Sequence, residues 1–300
     1  MSGNHDGREQ RYRRAFGIGI GLNLSFVAVE LVAGFAANSL ALIADAWHNL
    51  SDVAGLLLAW VAFAIAGRQP SQRFTYGLRK ATILAALVSS VVLLTALGAI
   101  AWEAVQRFAE PRPTDGLAVV GIAAVGVVIN AATAWLFHAD RHADLNVEGA
   151  FLHLAADAVV SLGVVLGGVA VLVTGQVWID PLLSLLIVAV IAVSSFRLLR
   201  DSLQLSLDAA PRALDLARIA TWLREQPAVV EHHDLHVWAI STTQVALTVH
   251  VTARADAEAD ALLAGLRRGL HDEFAIEHAT VQIETAGGAT QADCAQARHC

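Results

Sequence analysis

Six long apolar stretches, at residues 15–37, 39–66, 81–105, 116–138, 147–174 and 179–199, constrain this chain more than any other feature of its sequence. A bilayer core is ~30 Å thick and takes about 20 apolar residues of helix to cross. Each stretch meets or approaches that length, and short polar punctuation separates them, such as Gly67-Arg68-Gln69-Pro70 and Glu110-Pro111-Arg112-Pro113. Composition agrees: 56% of residues are hydrophobic, only 16% are charged, and the mean hydropathy is +0.56. The sequence therefore predicts an all-α six-helix transmembrane bundle over residues 15–207, preceded by a cytoplasmic segment at 1–14.

Orientation follows from Lys and Arg near the span ends. Arg11, Arg13 and Arg14 precede span one; Arg68, Arg73, Arg79 and Lys80 lie between spans two and three; Arg141 lies between four and five; Arg197 and Arg200 follow span six. The opposite loops hold only Arg107 and Arg112, offset by Glu110 and Asp115, so both termini are expected in the cytoplasm. The polar, basic start and the long first span show no cleavable signal peptide. With an Ala-rich, Lys-poor composition, this points to a multi-pass protein of a bacterial inner membrane.

From Asp208 onward the pattern is that of a soluble domain. Residues 211–224 are amphipathic, 234–240 and 244–253 alternate like strands, 256–274 are helical, and 279–285 alternate again. The expectation is a small α+β domain of order αββαβ over 208–286, then a flexible tail at 287–300. This part carries thirteen Asp and Glu against seven Lys and Arg, most of the net charge of -7, which argues against a nucleic-acid partner. The only cysteines, Cys294 and Cys300, lie in the tail and make no disulfide framework.

Two spans contain the same pattern of ionisable residues, His48 with Asp52 and His153 with Asp157. Residues four apart lie one turn apart on one helix face, so each pair can offer an imidazole nitrogen and a carboxylate oxygen to a shared point. Two facing helices then supply four ligands. Two nitrogens and two oxygens without thiolate suit tetrahedral Zn²⁺, whereas Ca²⁺ and Mg²⁺ favour oxygen alone. An ionised Asp near the membrane centre costs about 2.5–3.5 kcal/mol even on insertion scales, a cost rarely carried without function. The alternative is that these side chains cap helix ends or satisfy one another. Asp45, three residues before His48, is open to three roles: fifth ligand, proton relay or packing partner.

The segments SLALIADAWHNLSD (39–52), FTYGLRKATILAAL (74–87) and NVEGAFLHLAAD (146–157), followed by HDLHVW (233–238), TVHV (248–251) and ATVQIE (279–284), resemble the cation diffusion facilitator family. The resemblance spans nearly the whole chain. It implies a homodimeric exporter that exchanges a divalent cation for protons across the membrane, with a cytoplasmic domain of heavy-metal-chaperone-like fold. His and Asp in both pairs place the chain with the zinc branch, whose members often also pass Cd²⁺ or Co²⁺. His48, Asp52, His153 and Asp157 are then the transport site.

The resemblance also implies a cytoplasmic zinc site at His233, His250, His278 and Glu284. In an antiparallel layer, strands ~4.8 Å apart let such side chains share an ion on one face. Zn²⁺ there would act as a regulatory ligand that favours the tight dimer. Lys80 and Asp208 match positions that form a charge pair in relatives, although a snorkelling Lys and an unrelated Asp cap fit them equally well. Some relatives bear a further site between spans two and three; here Ser71, Phe74 and Leu78 stand there instead. His138 and His142 read as surface residues. Cys294, His299 and Cys300 carry donors that Zn²⁺ accepts, or form an inert tail.

Metal loading needs neutral imidazole and ionised carboxylate, so a proton gradient can displace the ion, with His48 and His153 as proton carriers. An intramembrane metalloenzyme is disfavoured: no His-Glu-x-x-His segment exists, and four protein ligands close the shell. The chain is therefore expected not to be an enzyme and to need no catalytic cofactor. A membrane-bound metal sensor signalling through the tail is the remaining rival.

Overall fold

The computed structural model describes residue 21 and residues 24–138 and 145–285. These gather into two compact units, one built from the chain up to Leu58 together with Val88–Leu198, the other from Ala59–Leu87 together with Leu199 onward.

The first unit is wholly helical. It takes in α1 (Leu24–Ala36), the first part of α2 (Leu40–Ala66), most of α3 (Ala81–Ala109), α4 (Gly116–His138), α5 (Leu145–Thr174) and most of α6 (Ile179–Ser206). Segments Ala81–Ala109, Gly116–Trp135, Phe151–Thr174 and Ile179–Ser206 are long and apolar enough to cross a membrane, and α2 is 27 residues long. Large apolar side chains such as Phe35, Trp102, Val128, Trp135, Leu166 and Val190 point outward. The buried core instead mixes Ala41, Ala44, Ala104 and Ala123 with Leu42, Leu97 and Val164. Large apolar side chains thus face outward as well as inward, which lipid permits because its tails solvate Leu and Val as well as a protein core does, while the alanines let the helices approach. Gly168 shows the close approach this permits, since a Cβ there would lie 2.9 Å from Val120 Cγ2.

The start of α2 is fastened by a side chain from another helix. Asn38 adopts left-handed φ (54°), and Asp180, in the first turn of α6, accepts from Ser39 Oγ at 2.5 Å and from the Leu40 N–H at 2.8 Å. Buried Arg107 donates to Asn38 O and Oδ1 at 2.6 and 2.8 Å. Helices α3 and α6 run beyond the expected ends at 105 and 199. In α3, Glu103 and Arg107 pair one turn apart at 3.3 Å and carry the helix past its apolar stretch. In α6, no breaker occurs before the left-handed Asp208 and Pro211.

The second unit holds α7 (Leu216–Arg224), β1 (Val229–Ala239), β2 (Val245–Ala253), α8 (Ala259–Phe274) and β3 (His278–Thr285), the αββαβ order expected. Helix α7 begins at Leu216 rather than Pro211, because Asp215 caps it by accepting from the Ala217 and Arg218 N–H groups. The sheet order is β1-β2-β3. The hairpin β1–β2 is antiparallel, but β2 and β3 are parallel, since α8 intervenes and returns the chain to the same end. The layer is thus not antiparallel throughout, contrary to the expectation from sequence. Ile219, Leu223, Leu247, Val251, Leu266 and Leu270 form its core. Helix α8 passes close to Trp222 at Gly269, where an added Cβ would clash with the Trp222 ring.

Candidate metal-binding sites

Helix α2 carries Asp45, His48, Asn49 and Asp52 within two turns, and α5 carries His153, Asp157 and Ser161. The structure brings both His-x-x-x-Asp pairs together. His48 Nδ1 lies 3.7 Å from Asp52 Oδ2, and His48 Nε2 lies 3.4 Å from Asp157 Oδ1. His153 Nε2 lies 3.2 Å from Asp52 Oδ2 and 3.6 Å from Asp157 Oδ2. The four side chains therefore form a closed ring in which His and Asp alternate. One ligand atom each from His48, Asp52 and Asp157 lie within 4.8 Å of one another.

These separations are long for hydrogen bonds, whose N···O distances centre on ~2.9–3.0 Å. They are of the length of an edge of a metal coordination tetrahedron, since Zn–N and Zn–O bonds of ~2.0–2.1 Å give an edge about 1.6 times as long, or ~3.3 Å. They are not one set of four ligand atoms, because His48 uses both ring nitrogens and Asp157 both oxygens. Binding an ion therefore requires His48 to commit one nitrogen and His153 to close in on the other three. His48 Nδ1 and Asp52 Oδ2 are also buried without a hydrogen-bond partner, as expected of donors held ready for an ion. Asp157 is nearly enclosed, with its side chain 6% exposed, while His153 is 49% exposed, so the site opens on the His153 side. Asp45 does not join the ring: its Oδ2 accepts from Ser161 Oγ at 2.9 Å.

Glu30 in α1 is fully buried and was not singled out from sequence. The available signal was a lone acidic residue in an apolar span, which by default marks function. Asn130, a neutral amide in α4, is also buried, with neither side-chain polar atom hydrogen-bonded.

A second cluster lies on the sheet. His233 on β1 faces His250 on β2 in register, with ring centroids 5.1 Å apart, and Glu284 reaches both from β3. Its carboxylate stands 3.0 Å from His250 Nδ1 and 3.7 Å from His233 Nε2. These three residues again offer ligand atoms within 4.8 Å of one another. A register shift between His233 and His236, with Asp234 at left-handed φ (53°), turns Asp234 toward His250 Nε2 at 3.9 Å and His236 Nε2 at 2.8 Å.

His278 is not brought to this cluster within the chain. It starts β3 whereas Glu284 lies near its end, and six residues at ~3.3 Å rise put them ~20 Å apart. His278 Nε2 instead lies 3.0 Å from Arg79 Nη1, edge-on to Tyr76. Lys80 Nζ donates to Asp208 Oδ1 at 2.5 Å. Cys294, His299 and Cys300 lie outside the described residues.

Comparison with known proteins finds matches along nearly the whole chain. A family model described as the cation efflux transmembrane domain matches residues 18–205, and one described as the cation efflux protein cytoplasmic domain matches residues 211–286. The zinc transporter ZitB of Escherichia coli (strain K12) is 38% identical over 281 residues, covering 93% of this chain and 88% of the relative. The metal cation efflux system protein CzcD of Cupriavidus metallidurans is 33% identical over 296 residues, covering 98% and 92%. A cadmium, cobalt and zinc/H(+)-K(+) antiporter of Bacillus velezensis is 30% identical over 291 residues, covering 95% and 93%.

Proposed function

The chain belongs to the cation efflux family, that of the cation diffusion facilitators, and on that premise we propose that it exports Zn²⁺ from the cytoplasm in exchange for protons. As a member it is a multi-pass membrane transporter of metal cations and not an enzyme.

The alternating ring of His48, Asp52, His153 and Asp157 is the observation that carries the zinc assignment. Two neutral imidazoles and two carboxylates neutralise a doubly charged ion inside the membrane, which lowers the desolvation cost of carrying it across. Cd²⁺ and Co²⁺ are further substrates that the same donors accept. Loading expels the protons that the empty ligands bind, and reprotonation from the far side releases the ion, so cation and proton move in opposite directions. Helices α2 and α5 would tilt about the ring to open it to each side in turn.

The cytoplasmic cluster of His233, His250 and Glu284 is a regulatory Zn²⁺ site in this proposal, with His278 outside its ligand set in the single chain. The protein works as a homodimer in a bacterial inner membrane, both termini cytoplasmic. Proteoliposomes with an imposed pH gradient test the core of the proposal. Zn²⁺ uptake should rise with the opposing proton gradient and vanish in Asp157→Ala; flux indifferent to the gradient defeats antiport, and normal flux in Asp157→Ala defeats the site.

A further inference from the structure

Glu30 in α1 and Asp45 in α2 are both fully buried, and neither belongs to the alternating ring. Each has one carboxylate oxygen engaged by a neutral donor. Asn49 Nδ2 donates to Glu30 Oε2 at 3.5 Å, and Ser161 Oγ donates to Asp45 Oδ2 at 2.9 Å. The remaining oxygens, Glu30 Oε1 and Asp45 Oδ1, are buried without any donor. Asn49 follows Asp45 by one turn on the same face of α2, so the Glu30 carboxyl that Asn49 holds is set beside that of Asp45, near enough for the two to share a hydrogen bond. An ionised carboxylate only accepts, so a hydrogen bond between two carboxyl groups requires a proton on one of them. One proton between the pair satisfies both orphaned oxygens and removes the repulsion of two buried charges.

The pair lies beside the metal-binding ring without being part of it. Asp45 is three residues before His48 and shares its face of α2, and Ser161 follows Asp157 by one turn of α5. The charged groups acting on Asp45 are His48 from α2 and Asp157 from α5, with Asn49 and Ser161 as neutral neighbours of the pair. A cation entering the ring therefore comes within about one helical turn of Asp45.

We propose that Glu30 and Asp45 share one exchangeable proton and form a proton site, separate from the metal ligands, whose occupancy opposes that of the cation. This rests on the cation–proton exchange proposed above. A doubly charged cation in the ring favours breaking the shared O–H bond. The proton leaves to water, and the added negative charge stays on the pair facing the cation. Rebinding of a proton restores the pair and favours release of the ion.

Infrared difference spectroscopy on the full-length protein in lipid nanodiscs reads this directly, because the C=O stretch of a protonated carboxyl is absent from an ionised one. Metal-free wild type at neutral pH should show this band. Glu30→Gln and Asp45→Asn should each lose it, since the new amide NH₂ donates to the remaining carboxylate in the proton's place. Zn²⁺ should diminish the band in wild type. Titration calorimetry in buffers of differing ionisation enthalpy should find about one proton fewer released per Zn²⁺ in either variant. A band absent from metal-free wild type, or surviving in both variants, overturns the shared proton. A band unchanged by bound Zn²⁺ overturns its part in exchange. Failure of wild type to bind Zn²⁺ at all would remove the exchange proposal instead, while the metal-free spectrum still decides whether the pair holds a proton. The wild-type spectra need no substitution, so misfolding of a variant leaves both decisive results in place.

Discussion

Asp157 has the least access to water of the four ring residues, and its two oxygens serve different histidines, Oδ1 toward His48 at 3.4 Å and Oδ2 toward His153 at 3.6 Å. Asp157→Asn keeps the side chain's shape but replaces an anionic oxygen with an NH₂ group that points a donor at the centre of the ring. Removing one partner from a buried, paired set of charges costs about 3–5 kcal/mol. At ~1.4 kcal/mol per decade, Zn²⁺ affinity at the site should fall by roughly two to three and a half orders of magnitude. Asp52 is 31% exposed against 6% for Asp157; its ring-facing Oδ2 is itself buried, but the rest of the side chain borders water, which can move in to take a lost oxygen's place. Asp52→Asn should then cost about 1.5–3 kcal/mol, the usual worth of a hydrogen bond to a charged group, or roughly ten- to a hundredfold in Kd. Titration calorimetry of the full-length protein, with His250→Ala and Glu284→Gln introduced to silence the sheet cluster, separates these outcomes. A Kd for Asp157→Asn within about threefold of the parent would refute the placement of Asp157 at the ion. Equal losses in the two variants would refute the argument from water access.

Zinc stoichiometry of the full-length protein should drop in His250→Ala and in Glu284→Gln but not in His278→Ala, because His278 lies at the opposite end of β3; equilibrium dialysis with metal analysis checks this. Gly269→Ala should lower stability by about 1–3 kcal/mol, as the added methyl meets a Trp222 ring held by its hydrogen bond to Glu273 Oε1 at 2.8 Å; a shift in denaturant midpoint reads it. Asp180→Ala should destabilise by about 3–5 kcal/mol by stripping the α2 start and leaving Arg107 buried beside a lost carboxylate, with Asp180→Asn milder in a thermal-shift assay. Burial, then the charges of Arg224 and His233, hold His232 below its ordinary value of 6.5. The folded state thus binds fewer protons there than the unfolded one, so its contribution is present above pH ~6.5 and lost as pH falls below it. His232→Gln should flatten that part of the stability profile in pH-dependent unfolding.

Helix placement was legible because bilayer thickness fixes the length of an apolar stretch, and each described helix of the first unit overlaps the stretch expected for it. The ends of α3 and α6 were less legible, since side-chain pairing and distant breakers, not hydropathy, decide where they stop. The αββαβ order followed from periodicity, while the parallel β2–β3 pairing did not, because alternation reports which face a residue takes and not the direction of a neighbouring strand. Asp45 was ambiguous in one dimension. Its partner Ser161 is 116 positions away, and its other partner, Glu30, lies in a different helix.

Sequence alone determined that the chain spans a membrane and that two helices each carry a His and an Asp one turn apart, because both facts follow from local composition and a helical period. Tertiary structure alone decided that the two pairs close into a single ring, that Glu30 meets Asp45, and that His278 stands apart from His233, His250 and Glu284. Those are distances between residues far apart in the chain. Packing sets them, and no local pattern encodes them.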